Sequence, residues 1–174
     1  EVGMGKTFQA LGVAAFLWKM KPDAKVLVMA PNRDICAHWQ REYQAFVRSH
    51  DRSDDNSIKN ASDSGPIQSI QTCTRLEDLA HSLEVGAGHL YLTTIHSLSG
   101  LVPQSEKEGD ISKKAGNLAR IFHERIKKAL NGGGFDLIII DEAHYFRNVD
   151  GGSQRVSAAK AFFGTPENPL GYKT

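Results

Sequence analysis

Phe8, Leu11, Ala15 and Trp18 fall at spacings of three and four, which puts them on one face of a helix. The spacing predicts a helix over 7–20, closed by Pro22 and Asp23. The pattern then changes. Positions 25–30 run apolar after Lys25, as a strand covered on both faces would. Pro31 and Asn32 turn the chain, and Asn32 is placed to cap a helix with Ile35, Trp39, Tyr43 and Phe46 on one side. Residues 51–66 are polar and read as an exposed insertion. A short strand is predicted over 67–72. Thr74-Arg-Leu-Glu77 then fits a capping box that starts a helix ending near Gly86. A further strand follows over 89–94, and a second polar connection over 100–110. The next helix is predicted over 112–131, with Leu118, Ile121, Phe122, Ala129 and Leu130 as its core face and Gly132, Gly133 and Gly134 as its stop. Positions 136–141 form the most apolar strand of all. Ser153 can cap a last helix reaching Phe163.

Strands alternating with helices argue an α/β fold, a parallel sheet flanked by helices. The 174 residues suit one domain. Ligands of such sheets bind beyond the C-terminal ends of the strands. Composition changes this picture little. A net charge of +1 neither marks nor excludes a nucleic-acid binder, since basic groups can line one groove. Cys36 and Cys73 have no metal-like spacing and read as free thiols of a reducing compartment. There is no apolar run near the roughly 18 residues of a membrane span. A cytoplasmic protein is expected, nucleoid-associated if bacterial, with the true N-terminus upstream of Glu1.

Two stretches carry chemistry. The first is Glu-Val-Gly-Met-Gly-Lys-Thr over 1–7, opening the first helix. Gly3 and Gly5 let backbone N–H groups approach phosphate oxygens, Lys6 adds a positive charge for the β- and γ-phosphates, and Thr7 offers a hydroxyl to Mg²⁺. The second is Asp-Leu-Ile-Ile-Ile-Asp-Glu-Ala-His over 136–144. Asp141 ends the strand where a carboxylate can hold Mg²⁺. Glu142 can orient and deprotonate an attacking water. Either stretch alone has a bland reading, a Gly-rich helix start or a solvated acidic turn; together they predict a site for ATP and Mg²⁺ with Lys6, Asp141 and Glu142 as catalytic groups. His144 is read either as a surface residue or as a reporter coupling the site to its neighbours.

These residues resemble the helicase-like motor ATPases of superfamily two. The acid motif is Asp-Glu-Ala-His, and the Gly-Met-Gly-Lys-Thr loop looks most like the Swi/Snf-type branch of duplex-DNA translocases. Positions 28–42, with Pro-Asn-Arg and Trp-Gln-Arg-Glu, are similar to motif Ia of that family; 92–97, Leu-Thr-Thr-Ile-His-Ser, are similar to motif Ib. The resemblance implies a RecA-like lobe and two backbone-contacting clusters: Pro31, Asn32 and Arg33, and Thr93, Thr94 and His96. Trp39 is read as a core aromatic. Thr93 and Thr94 are as well explained by strand propensity. The resemblance also implies a nucleic-acid partner, with duplex DNA favoured and RNA the alternative. A nucleotide-dependent assembly switch is the rival from another class. On this reading, residues 1–174 are an incomplete N-terminal lobe that lacks the strand before the phosphate loop and works against a second RecA-like lobe. Alone it is expected to be poorly stable and nearly inactive.

Overall fold

The computed structural model describes residues 5–50, 70–98, 108–146 and 154–171. Nine elements alternate: α1 (Lys6–Met20), β1 (Val26–Ala30), α2 (Arg33–His50), β2 (Ile70–Thr72), α3 (Leu76–Glu84), β3 (Leu90–Thr94), α4 (Glu108–Ala129), β4 (Leu137–Ile140) and α5 (Gln154–Phe163). The strands form one parallel sheet in the order β2-β3-β1-β4. Val26 stands opposite Leu90 and Leu137, and Ala30 opposite Thr94. All four strands therefore end along one edge. This is a RecA-like α/β fold.

The period-two alternation of strand side chains divides the core in two. Val26, Val28, Ala30, Leu90 and Leu92 pack with Leu11, Trp18, Trp39 and Tyr43 of α1 and α2. Leu27, Met29 and Tyr91 point the other way, into a cluster with Leu79, Leu83, Ile126 and Phe162 from α3, α4 and α5. Each strand of β1 and β3 is buried along its whole length, which explains why both read as unbroken apolar runs.

The most apolar strand behaves differently. β4 has a strand neighbour on one side only among the described residues, and Leu137 to Ile140 are half-buried. Hydrophobicity alone does not tell a central strand from an edge one.

Helix α4 departs further from expectation. It begins at Glu108, so 108–110 belong to the helix and not to a polar connection. Its buried stripe is Ala115, Ala119, His123 and Ile126, while Leu118 and Ile121 are 37% and 55% exposed. Phe122, Ala129 and Leu130 do pack on the core as expected. The reason lies in the neighbour. α4 lies against α5 through small residues, with Ala158 and Ala159 on the facing helix. A Cβ on Gly116 would stand 3.0 Å from Ser157 Oγ. Close approach selects small side chains at the seam and leaves larger ones on the flanks. The seam is also polar: Ser157 donates to the Ser112 carbonyl at 2.9 Å, and His123 Nδ1 donates to the Phe162 carbonyl at 2.8 Å.

Helix caps are partly as predicted. Asn32 Oδ1 accepts from Ile35 N–H at 3.0 Å and caps α2. α3 starts one residue later than the capping-box reading placed it. Asp78, not Glu77, accepts from the Arg75 N–H at 2.9 Å and from the Thr74 hydroxyl at 2.8 Å. Its negative charge also suits the helix N-terminus. The proposed cap Ser153, the insertion 51–66 and residues 100–107 lie outside the described residues.

Candidate nucleotide site and the adjoining groove

α1 begins where the chain leaves Gly5, whose φ of +102° is the left-handed region that favours glycine. Among the described residues no atom lies within 4 Å of the place a Gly5 Cβ would take, so backbone conformation calls for glycine there. Lys6 and Thr7 are the first residues of α1, where free helical N–H groups and the positive end of the dipole favour an anion. Gly3 lies outside the described residues.

Across a cleft stands the end of β4. Asp141 N–H donates to the Met29 carbonyl at 2.9 Å, so its backbone still belongs to the sheet. Its carboxylate Oδ2 accepts from the indole Nε1–H of Trp39 at 2.9 Å. Glu142 then takes a φ of +57°, a conformation that costs a non-glycine residue about 1 kcal/mol or more. This strained step turns the chain out of the sheet and separates the two acids. Asp141 is half-buried and anchored, whereas the Glu142 side chain is 54% exposed. A 3-10 turn, Ala143–Phe146, follows and brings His144 Nδ1 to 2.9 Å from Glu142 Oε2.

Lys6, Thr7, Trp39, Asp141, Glu142 and His144 all line this cleft of 380 Å³. Its size is at the small end of the roughly 300–1,000 Å³ of ligand sites. One wall offers an ammonium, a hydroxyl and a helix N-terminus; the other offers carboxylates. That donor set fits a phosphate chain bridged by a hard divalent cation, which prefers oxygen ligands.

A second, larger concavity of 880 Å³ lies along the same edge of the sheet. Asn32 and Arg33 reach it from the end of β1, and Thr94 and His96 from the end of β3. Thr74 and Arg75, which link β2 to α3, join them. Leu118 and Phe122 of α4 form an apolar wall. Two residues of the predicted clusters are not in this groove. Pro31 is buried, and Thr93 is fully buried, its hydroxyl without a hydrogen-bond partner among the described residues. Alternation along β3 explains Thr93: adjacent residues face opposite sides of the sheet.

Sequence reasoning missed two things. Trp39 is a core aromatic, 3% exposed, but its N–H also holds the acid of the opposite motif. A buried indole needs a partner for its N–H, which was the available signal. Arg75 was legible only as part of a cap, because its neighbours in the groove come from three other segments.

A family model described as "Type III restriction enzyme, res subunit" matches residues 1–164. The chain belongs to this family. Membership makes it an ATP-dependent, helicase-like motor of superfamily two, an ATP hydrolase that works with nucleic acid; ATPases of this family generally use ATP with Mg²⁺. Neither a curated protein nor a solved structure matches the chain. Among the described residues, no helix is long and apolar enough to cross a membrane.

Proposed function

We propose that this chain is the N-terminal lobe of an ATP-driven translocase on duplex DNA, of the Swi/Snf-like, DEAH-box kind. The observation that carries the reading is the placement of two sites along one sheet edge. A cleft with Lys6 and Thr7 facing Asp141 and Glu142 lies beside a groove with Arg33 and His96.

In this reading Lys6 draws the β- and γ-phosphates to the N-terminus of α1. Thr7 and Asp141 would hold the metal and its water shell. Bound Mg²⁺ would neutralise phosphate charge and orient the triphosphate for in-line attack. Glu142, carried clear of the sheet by its left-handed backbone, accepts a proton from the attacking water. His144 holds the Glu142 carboxylate and couples that base to its neighbours. Asn32, Arg33, Thr94 and His96 meet the phosphate backbone of the polymer, while Pro31 and Thr93 support them from beneath. The small, open cleft suits half of a site that a second RecA-like lobe completes. The half-buried face of β4 is what a further strand beside it would cover.

Charge reversal at Arg33 tests the coupling of the two sites in the intact protein. Arg33→Glu is expected to leave basal ATP turnover within about twofold and to remove most of its stimulation by duplex DNA. Unchanged stimulation would place the polymer outside the Arg33 groove.

A further inference from the structure

The two tryptophans of the chain satisfy their N–H groups differently. Trp18 donates to the Ala24 carbonyl six residues away at 3.0 Å, an ordinary structural arrangement. Trp39 instead reaches across 102 residues of sequence to a carboxylate, Asp141 Oδ2, at 2.9 Å. A hydrogen bond to an ionised acceptor is stronger than one to a neutral carbonyl and fixes the direction of the acceptor. It takes one of about four lone-pair sites on the carboxylate and leaves the others for a ligand.

The surroundings give this bond a direction. Asp141 is held at its backbone by Met29 of β1 and at its side chain by Trp39 of α2. β1 and α2 are joined by Pro31 and Asn32, and α2 opens with Arg33 on the groove. One helix thus carries a cation of the groove at its first residue and the partner of the cleft's acid six residues later. Trp39, Tyr43 and Cys36 of α2 belong to one buried core cluster, and dense cores transmit strain.

We propose that Trp39 is a positioning residue. Its indole N–H sets the Asp141 carboxylate for the metal and transmits the state of the Arg33 groove to the nucleotide cleft. The proposal rests on the reading of Asp141 as the metal-holding acid.

The decisive variant replaces Trp39 in the intact protein with 3-benzothienylalanine, which keeps the ring shape and puts sulfur where the N–H was. Trp39→Phe is the second variant. Mn²⁺ binding in the presence of ADP is read by electron paramagnetic resonance, alongside the ratio of duplex-stimulated to basal turnover. Expected is a loss of about tenfold in Mn²⁺ affinity, as when an outer-shell partner of a metal ligand is removed, with a reduced ratio. A folded analogue that keeps both values overturns the proposal and leaves Trp39 a core residue. Weaker Mn²⁺ binding with an unchanged ratio overturns the transmitting role alone. Asp141→Ala separates the premises. Wild-type Mn²⁺ affinity in that variant sinks the metal reading itself. Loss of binding there, with an unaffected benzothienyl analogue, sinks only the role of Trp39.

Discussion

At the residue scale, the two ends of the cleft should fail in different ways. Lys6→Ala removes the charge that meets the phosphates, so nucleotide affinity should fall by at least about tenfold, measured by titration with a fluorescent ATP analogue. Glu142→Gln keeps shape and hydrogen bonding but cannot take a proton. Binding should persist while kcat falls by about 10² or more; normal turnover would remove Glu142 from the role of base. The buried thiols make a separate prediction. Burial pushes both Cys36 and Cys73 up to about 11, so neither is a thiolate at neutral pH. Both should react with a thiol reagent only as fast as the protein opens, and rapid labelling of the native state would contradict their burial. His89 links fold to pH. Burial first, and then the nearby Lys25 ammonium, lower its pKa below the ordinary 6.5. The unfolded chain therefore takes up this proton at a higher pH than the folded one. Stability should fall as pH drops below about 6.5 toward the folded value, and His89→Gln should flatten that slope in denaturant titrations. Lys6, Thr7, Asp141 and Glu142 were legible from local order alone, since each motif is contiguous. The Trp39–Asp141 bond was not, because no local pattern specifies a partner 102 positions away.

At the element scale, the pattern of apolar positions located the α-helices and strands among the described residues, missed the two 3-10 turns and misjudged one face. Leu118 and Ile121 have the right period for a core, yet α4 turns them outward so that its small residues meet α5. Ile121→Gln should then change stability by less than about 0.5 kcal/mol, whereas Ile126→Ala should cost about 2–5 kcal/mol. Equal losses in urea titrations would mean the helix is rotated. Gly164, just past the end of α5, is a second test. Its φ is +81°, and a Cβ there would stand 2.1 Å from the Asn168 carbonyl oxygen. Gly164→Ala should destabilise the α4–α5 side, through both backbone strain and the clash. β4 shows the opposite limit. Its isoleucines read as the most apolar strand of all, but which strand stands beside it is a property of topology, and periodicity does not encode strand order.

At the scale of the whole molecule, the sheet gathers what the sequence scatters. Residues 6–7, 32–33, 94–96 and 141–144 come to one edge because all four strands run parallel and end there. The parallel arrangement was legible from the alternation of elements, and with it the expectation of ligands at the C-terminal ends. Membership in the restriction-enzyme res-subunit family supplies the motor class; the polymer that drives it rests on the groove. Coupling between cleft and groove is therefore the central claim. It is tested most directly by ATP turnover of the intact protein at one fixed salt concentration, compared without polymer and with duplex DNA, single-stranded DNA and RNA. Salt must be held constant because phosphate contacts weaken steeply with it. Strong stimulation by duplex DNA is expected. Stimulation by RNA alone would contradict the duplex-DNA reading and move the motor to RNA, and turnover indifferent to every polymer would contradict the groove itself.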